Sequence, residues 1–205
     1  MRASGESASS SGTAVVPMFP LPNVQLFPGC VMPLHVFEPR YRAMVEDLLD
    51  SAGRLVIATV PEEHVADLPA SPPVYPVAGL GEIGRHERLP DGRFLIWVVG
   101  LARVRLCERP SEKVYRLVAV EPLEETRVEP RERADALRAS LESAIRSRCN
   151  GTKELPSQAP IGWLADLLLQ KLRLPCAAMQ QLYAETDVER RARGALSEHA
   201  RRANP

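Results

Sequence analysis

The chain has 205 residues with 26 basic and 26 acidic side chains, so its formal net charge is zero. Hydrophobic residues make up 45% and charged residues 25%, an ordinary globular balance, and the length can bury a core in one large domain or two small ones. Neutrality argues against a chain built to grip nucleic acid or an anionic membrane, and no apolar run nears the ~20 residues of a membrane span.

Residues 1–13 are rich in Ser, Gly and Ala, lack the apolar stretch of a secretory signal, and read as a disordered tail. From Ala14 to Glu125 strand signals dominate. Val31–Phe37 is a short apolar strand that Pro33 pushes toward an edge or a bulge. Pro39 suits a first helical position, and Tyr41, Met44, Val45, Leu48 and Leu49 follow at helical spacing until Gly53. Arg54–Val60 is a buried-strand candidate, and the five prolines between Pro61 and Pro76 make that stretch a loop. The chain holds 19 prolines, well above the usual ~5%, and they mark edges and corners.

Val77–Arg88 and Arg93–Cys107 flank Leu89-Pro-Asp-Gly92, a hairpin turn signal. Along the second strand, Phe94, Ile96, Val98, Ala102, Val104 and Leu106 share one face. The other face is apolar from Leu95 to Leu101 and charged at Arg103 and Arg105. That pattern predicts a strand covered on both sides that bends at Gly100 and ends with one side in water. Val114–Val120 adds a further strand.

Beyond Glu125 the periodicity turns helical. Arg131–Cys149 carries Leu137, Leu141, Ala144 and Ile145 on one stripe and ends at Asn150-Gly151. Trp163, Leu164, Leu167, Leu168 and Leu172 mark a second helix after Pro160, and Cys176, Met179, Leu182 and Tyr183 a third after Pro175. Val188, Ala192, Ala195, Leu196 and His199 mark a fourth, with Thr186 and Glu189 in capping-box spacing. The predicted class is α+β: a bent antiparallel sheet or small barrel with one inserted helix over 14–125, then a helical bundle over 126–205.

Catalytic signatures are sparse. The three lysines follow Glu112, Thr152 and Gln170, so no P-loop exists, and there is no G-x-S-x-G elbow or H-E-x-x-H. Gly79-x-Gly81-x-x-Gly84 matches a dinucleotide fingerprint in letters but leads into a hairpin instead of a helix, which reads as structural glycines. Cys30, Cys107, Cys149 and Cys176 are scattered, as buried thiols of a reducing cytoplasm would be. The four histidines fall on different elements, and Glu124-Glu125 reads as solvated loop charge. No nucleophile, base and oxyanion site assemble, so the expectation is no enzyme, no metal and no cofactor.

The segment from Pro17 to Arg42, PMFPLPNVQLFPGCVMPLHVFEPRYR, resembles the opening of the N-terminal substrate-binding domain of the Lon protease family. Val77-Ala-Gly-Leu-Gly-Glu-Ile, Leu89-Pro-Asp-Gly-Arg-Phe and Val99-Gly-Leu-Ala-Arg-Val-Arg105 resemble its hairpin. Leu164-Ala-Asp-Leu-Leu168, Leu172-Arg-Leu-Pro175 and Thr186-Asp-Val-Glu-Arg190 resemble its helical tail. The resemblance implies a PUA-like pseudo-barrel followed by a helical bundle. It also implies recognition of polypeptide by a free-standing module, since neither the ATPase nor the protease motifs of the family occur here.

The leading expectation is a non-catalytic cytoplasmic module that binds unfolded or extended polypeptide, as an adaptor in quality control beside a protease or chaperone. Candidate contacts are Phe27, Phe37, Glu38, Arg40, Arg42 and Arg103. Glu38 also reads as a helix cap and Arg42 as a partner of Glu46. The alternative is an RNA-binding PUA-like module, supported by the arginine bias at Arg103, Arg105, Arg116, Arg190, Arg191 and Arg193 and opposed by neutrality and few aromatics. A small-molecule hydrolase would need a pocket pairing His35 with a carboxylate.

Overall fold

Three prolines sit in the first strand, β1 (Ala14–Pro22), a composition that a sheet interior normally rejects. The computed structural model, which describes residues 14–149 and 155–203, shows how β1 escapes that rule. Its first half, Ala14–Met18, pairs antiparallel with β6 (Arg116–Pro122), and its second half, Met18–Pro22, pairs parallel with β3 (Arg54–Val60). The strand changes neighbours at Met18. Pro17, Pro20 and Pro22 therefore lie where β1 has a single ladder, and a missing N–H can face the unpaired side. The disordered tail expected over residues 1–13 lies outside the described residues, as does the expected helix end at Asn150-Gly151.

The remaining strands are β2 (Val31–Val36), β4 (Val77–Arg88) and β5 (Phe94–Arg109). The sheet order is β2-β5-β4-β3-β1-β6, with β5 also paired to β6, so five strands close into a ring and β2 hangs on its outside. One pairing, β1 with β3, is parallel, an addition to the expected antiparallel sheet. The β4–β5 hairpin turns at Leu89–Gly92, where Leu89 N–H donates to Arg93 O (2.8 Å) and Gly92 takes φ +81. Helix α1 (Pro39–Leu49) packs Tyr41, Met44, Val45 and Leu48 into the ring, against Phe19, Leu55, Phe94 and Ile96. Leu49, counted in that stripe, stays exposed.

Residues 23–30 cross the β4–β5 face at close range. A Cβ on Gly100 would stand 2.1 Å from Phe27 O, and one on Gly79 2.4 Å from Leu26 O. These glycines are structural because the crossing chain occupies the space a side chain would need. The helical part then clamps the crossing: Tyr183 donates to Leu26 O (2.8 Å) and Gln180 to Val77 O (2.7 Å).

That part comprises α2 (Arg131–Arg148), α3 (Ile161–Lys171), α4 (Cys176–Tyr183) and α5 (Val188–Ala203). The α2 stripe is buried as the periodicity predicts. Helix α5 is capped by Asp187, whose Oδ1 accepts from Arg190 N–H (3.0 Å), in place of the expected Thr186–Glu189 box. The reason is local. Residues 186–187 run extended beside Thr126, with Thr126 N–H bonded to Thr186 O (3.1 Å), which commits that backbone before the helix begins.

Candidate functional site

Four charged side chains meet where the helices cover the ring. Arg103 projects from β5 and Asp166 from α3, Arg191 comes from α5, and Glu125 follows β6. Arg103 Nη2 donates to Asp166 Oδ1 (2.6 Å), Nη1 to Glu125 Oε1 (2.8 Å) and Nε to Tyr183 O (2.8 Å). Its guanidinium also lies over the Tyr183 ring, 4.8 Å from the centroid. Arg191 Nη2 donates to Glu125 Oε1 (2.7 Å) and Nη1 to Glu185 O (2.6 Å), while Nε stands 3.0 Å from Asp166 Oδ1 as an ion pair without hydrogen-bond alignment.

Both guanidiniums and Asp166 are buried. Charges removed from water persist only when paired this closely, and here two cations meet two anions. Burial lifts the Asp166 carboxyl above its ordinary range, and the two arginines pull it back.

Two cavities open above this network. The first, about 290 Å³, is walled by Pro28, Leu101, Leu123 and Trp163, with Arg103 and Asp166 in its lining. The second, about 530 Å³, lies toward Val128, Arg138 and Val188, and shares Glu125, Pro160, Gly162 and Trp163 with the first. Leu101 reaches the first cavity through a bulge. Leu80 pairs with Ala102 and Gly81 with Gly100, so Leu101 has no β4 partner and stands 42% exposed.

From Leu101 an apolar surface continues along β5 to Val99, which faces Val31 on β2. Val31 is 57% exposed and Phe37, just past β2, 60%. The two outer edges of this flap differ. Residues 84–88 on β4 are exposed and mostly charged, whereas β2 carries no charged residue and has Pro33 as its one strand breaker.

The candidate contacts are distributed over four places. Phe27 and Arg103 meet at the seam, where Phe27 is buried edge-on against Tyr183 (centroids 5.1 Å). Phe37 lies in solvent, 5.8 Å from the His35 ring. Glu38 makes no side-chain cap and instead pairs with Arg40 (3.0 Å). Arg40 also donates to Leu68 O (2.6 Å) and Ala70 O (2.9 Å), fastening the proline-rich loop to α1. Glu46 binds Arg88 (3.1 Å), not Arg42, because Arg42 lies against Gly92 at the hairpin turn.

Sequence reasoning passed over Asp166 and Trp163 as site residues and read Glu125 as solvated loop charge, whereas Arg103 and Arg191 both bind its Oε1. Asp166 had a signal: it is a lone acid between Ala165 and Leu167 on a strongly apolar helix. Arg191 had one too, lying three residues after Val188 and next to Ala192 on the buried stripe of α5. Two of the arginines that favoured RNA, Arg103 and Arg191, are internal, and Arg116, Arg190 and Arg193 are paired with Glu108, Asp187 and Glu189. Among the described residues no group of three or more His, Cys, Asp or Glu side chains is placed to hold a metal ion. No described helix is long and apolar enough to cross a membrane.

Residues 15–198 match the model of the ATP-dependent protease La (LON) substrate-binding domain. The chain belongs to that family. It is 26% identical over 186 residues to a Lon protease of Anaeromyxobacter dehalogenans, an alignment covering 87% of this chain and 22% of that protein. It is 29% identical over 193 residues to Lon protease 2 of Sorangium cellulosum, covering 89% and 24%. The Lon-type chain described here thus spans under a quarter of the length of these curated relatives. Its fold matches the crystal structure of a Lon N-terminal domain protein from Xanthomonas campestris with a TM-score of 0.65 at 21% identity, covering 90% of this chain and 98% of that one. The N-terminal domain of a Mycobacterium avium complex Lon protease matches with a TM-score of 0.62 at 18% identity, covering 91% and 98%. The Lon substrate-binding fold therefore contains both the ring and the helices that create the seam.

Proposed function

We propose that this chain is a non-catalytic module that recognises unfolded or extended polypeptide and serves protein quality control in the cytoplasm beside a protease or chaperone. The observation that carries the reading is the run of apolar side chains along β2 and β5. Val31, Phe37 and Leu101 stand in water, Val99 is half-buried opposite Val31, and Trp97 lies beside them under the Arg85 guanidinium (4.6 Å). Scattered apolar side chains need no explanation, but a cross-strand set ending in a cavity with apolar walls is the kind of surface that binding covers. Family membership supports the same reading, because the matching domain is described as substrate-binding. An extended segment suits the geometry through side-chain contacts along the flap and main-chain contacts at the β2 edge.

The test is a titration of the labelled chain with a carboxymethylated, permanently unfolded protein, followed by fluorescence anisotropy. Saturable binding at micromolar concentration is expected, weakened in Val31→Asp and Phe37→Ser. No binding, or binding equal in both variants, counts against this surface and this function.

A further inference from the structure

We propose that the smaller seam cavity is a socket for a single uncharged apolar side chain of a bound polypeptide, with Glu125 receiving a main-chain N–H of the same segment. The proposal rests on the polypeptide reading above and assigns it a location and a selectivity. At about 290 Å³ the cavity lies at the lower limit of small-molecule sites, and one side chain is the natural occupant. Pro28, Leu101, Leu123 and Trp163 make its walls apolar.

The charged floor decides what else can enter. Arg103 and Arg191 are 3% and 0% exposed with every guanidinium nitrogen bonded or ion-paired, so the N–H groups left over are closed to an anionic ligand. All four contacts to carboxylates converge on Glu125 Oε1 and Asp166 Oδ1. Among the described residues no hydrogen bond reaches Glu125 Oε2 or Asp166 Oδ2, although the Asp166 side chain is only 6% exposed. What the floor still offers is acceptor capacity. A ligand cation is opposed by two guanidiniums at contact distance from the same carboxylates, which leaves a neutral N–H as the matching donor.

The second cavity supplies the complement. Arg138 lines that side, and its buried Nη1 has no hydrogen-bond acceptor, with Glu142 Oε1 4.0 Å away as an ion pair. An internal peptide unit offers both an N–H and a C=O, so a segment crossing Trp163 can satisfy Glu125 on one side and Arg138 on the other. Beside the smaller cavity an acidic residue meets the Glu125 carboxylate (36% exposed) while both its guanidinium partners are buried, so acidic segments are disfavoured there; Arg127 lines the second cavity.

The chain has two tryptophans, Trp97 and Trp163, so Trp97→Phe makes Trp163 the sole emitter and a reporter at the socket. A labelled Gly–Ser host peptide with one leucine is titrated to millimolar concentration, beside the same peptide with serine for leucine and one with aspartates flanking the leucine. The leucine peptide is expected to shift Trp163 emission and raise anisotropy along one saturation curve, with the other two about tenfold weaker or worse. Leu101→Asp, at an exposed position, is expected to weaken the leucine peptide by a similar factor. Anisotropy binding with silent Trp163 emission, or unaffected by Leu101→Asp, overturns the socket and leaves polypeptide recognition standing. Equal binding of the acidic peptide overturns the selectivity. If the unfolded protein also fails to bind, the functional reading falls with it.

Discussion

Arg103 and Asp166 stand 63 positions apart in the chain and 2.6 Å apart in the fold, both buried. Their contact joins the ring to α3, and without Arg103 the Asp166 carboxylate keeps Arg191 Nε at 3.0 Å as an ion pair but no hydrogen bond. Arg103→Ala is expected to cost about 3 kcal/mol in urea unfolding, because it takes from a buried carboxylate its hydrogen bond and one of its two cations. Replacing both partners with apolar residues, Arg103→Met with Asp166→Leu, should restore a large part of that loss. A single-variant cost below about 1 kcal/mol, the range of exposed pairs, would show that water reaches the pair.

The crossing of residues 23–30 over the sheet makes a second expectation. In Gly100→Ala the new methyl meets the Phe27 carbonyl, part of a backbone held in place by Tyr183. Overpacking of this kind costs about 1–3 kcal/mol or more, which lowers Tm by roughly 2–4 °C per kcal/mol in a chain of this size. Gly84→Ala first meets the end of the Val99 side chain at 3.0 Å, so thermal unfolding should find it the milder change.

His199 gives the helical part a pH dependence. Arg148 Nε donates to His199 Nδ1 (2.7 Å), which requires a neutral ring nitrogen, and burial followed by the Arg148 charge holds the histidine pKa below its ordinary 6.5. The unfolded chain therefore binds the proton more readily than the folded one. The contribution is complete above about pH 6.5 and declines as pH falls through the lower folded value. Thermal unfolding from pH 7.5 to 5.5 should show a falling Tm whose slope is reduced in His199→Asn. An identical slope in the variant would assign the pH dependence elsewhere.

Tyr115 shares Asp47 with Lys113 across α1 and the segment before β6. Burial, then the hydrogen bond and charge of Asp47, push the phenol up to about 12. Asp47→Asn removes the charge and keeps the burial, so the phenol should titrate nearer to 10 without reaching it. Phenolate absorbance, differenced against Tyr115→Phe, follows this one group. An unchanged midpoint would mean that the Asp47 contact does not persist in solution.

Periodicity made much of this fold readable before any coordinates. Alternation along β5 from Phe94 to Gly100, the turn at Leu89–Gly92 and the stripes of α1 (Leu49 apart) and α2 are local signals, and each appears where its pattern places it. Leu101, by contrast, expected to be covered, is 42% exposed. β1 was hidden because Pro17, Pro20 and Pro22 argue against a strand, and only its change of neighbours at Met18 resolves the conflict. Arg103 shows the same limit from the other side. Alternation puts it on a face expected in water, but α3, α4 and α5 arrive from far along the chain and cover it. The candidate site is legible only in pieces, as a lone acid on an apolar helix and an arginine inside a buried stripe, because what unites them is tertiary.

The neighbour change in β1 also bears on how the chain is made. Ala14 meets Val120, so the earliest described strand cannot complete the ring until the latest strand has been synthesised. Until then, the Met18–Pro22 half has β3 to lean on while Ala14–Met18 waits with an unpaired edge. Pro17 sits in the waiting half. A nascent chain thus carries its own guard against premature pairing at the place where it is longest exposed.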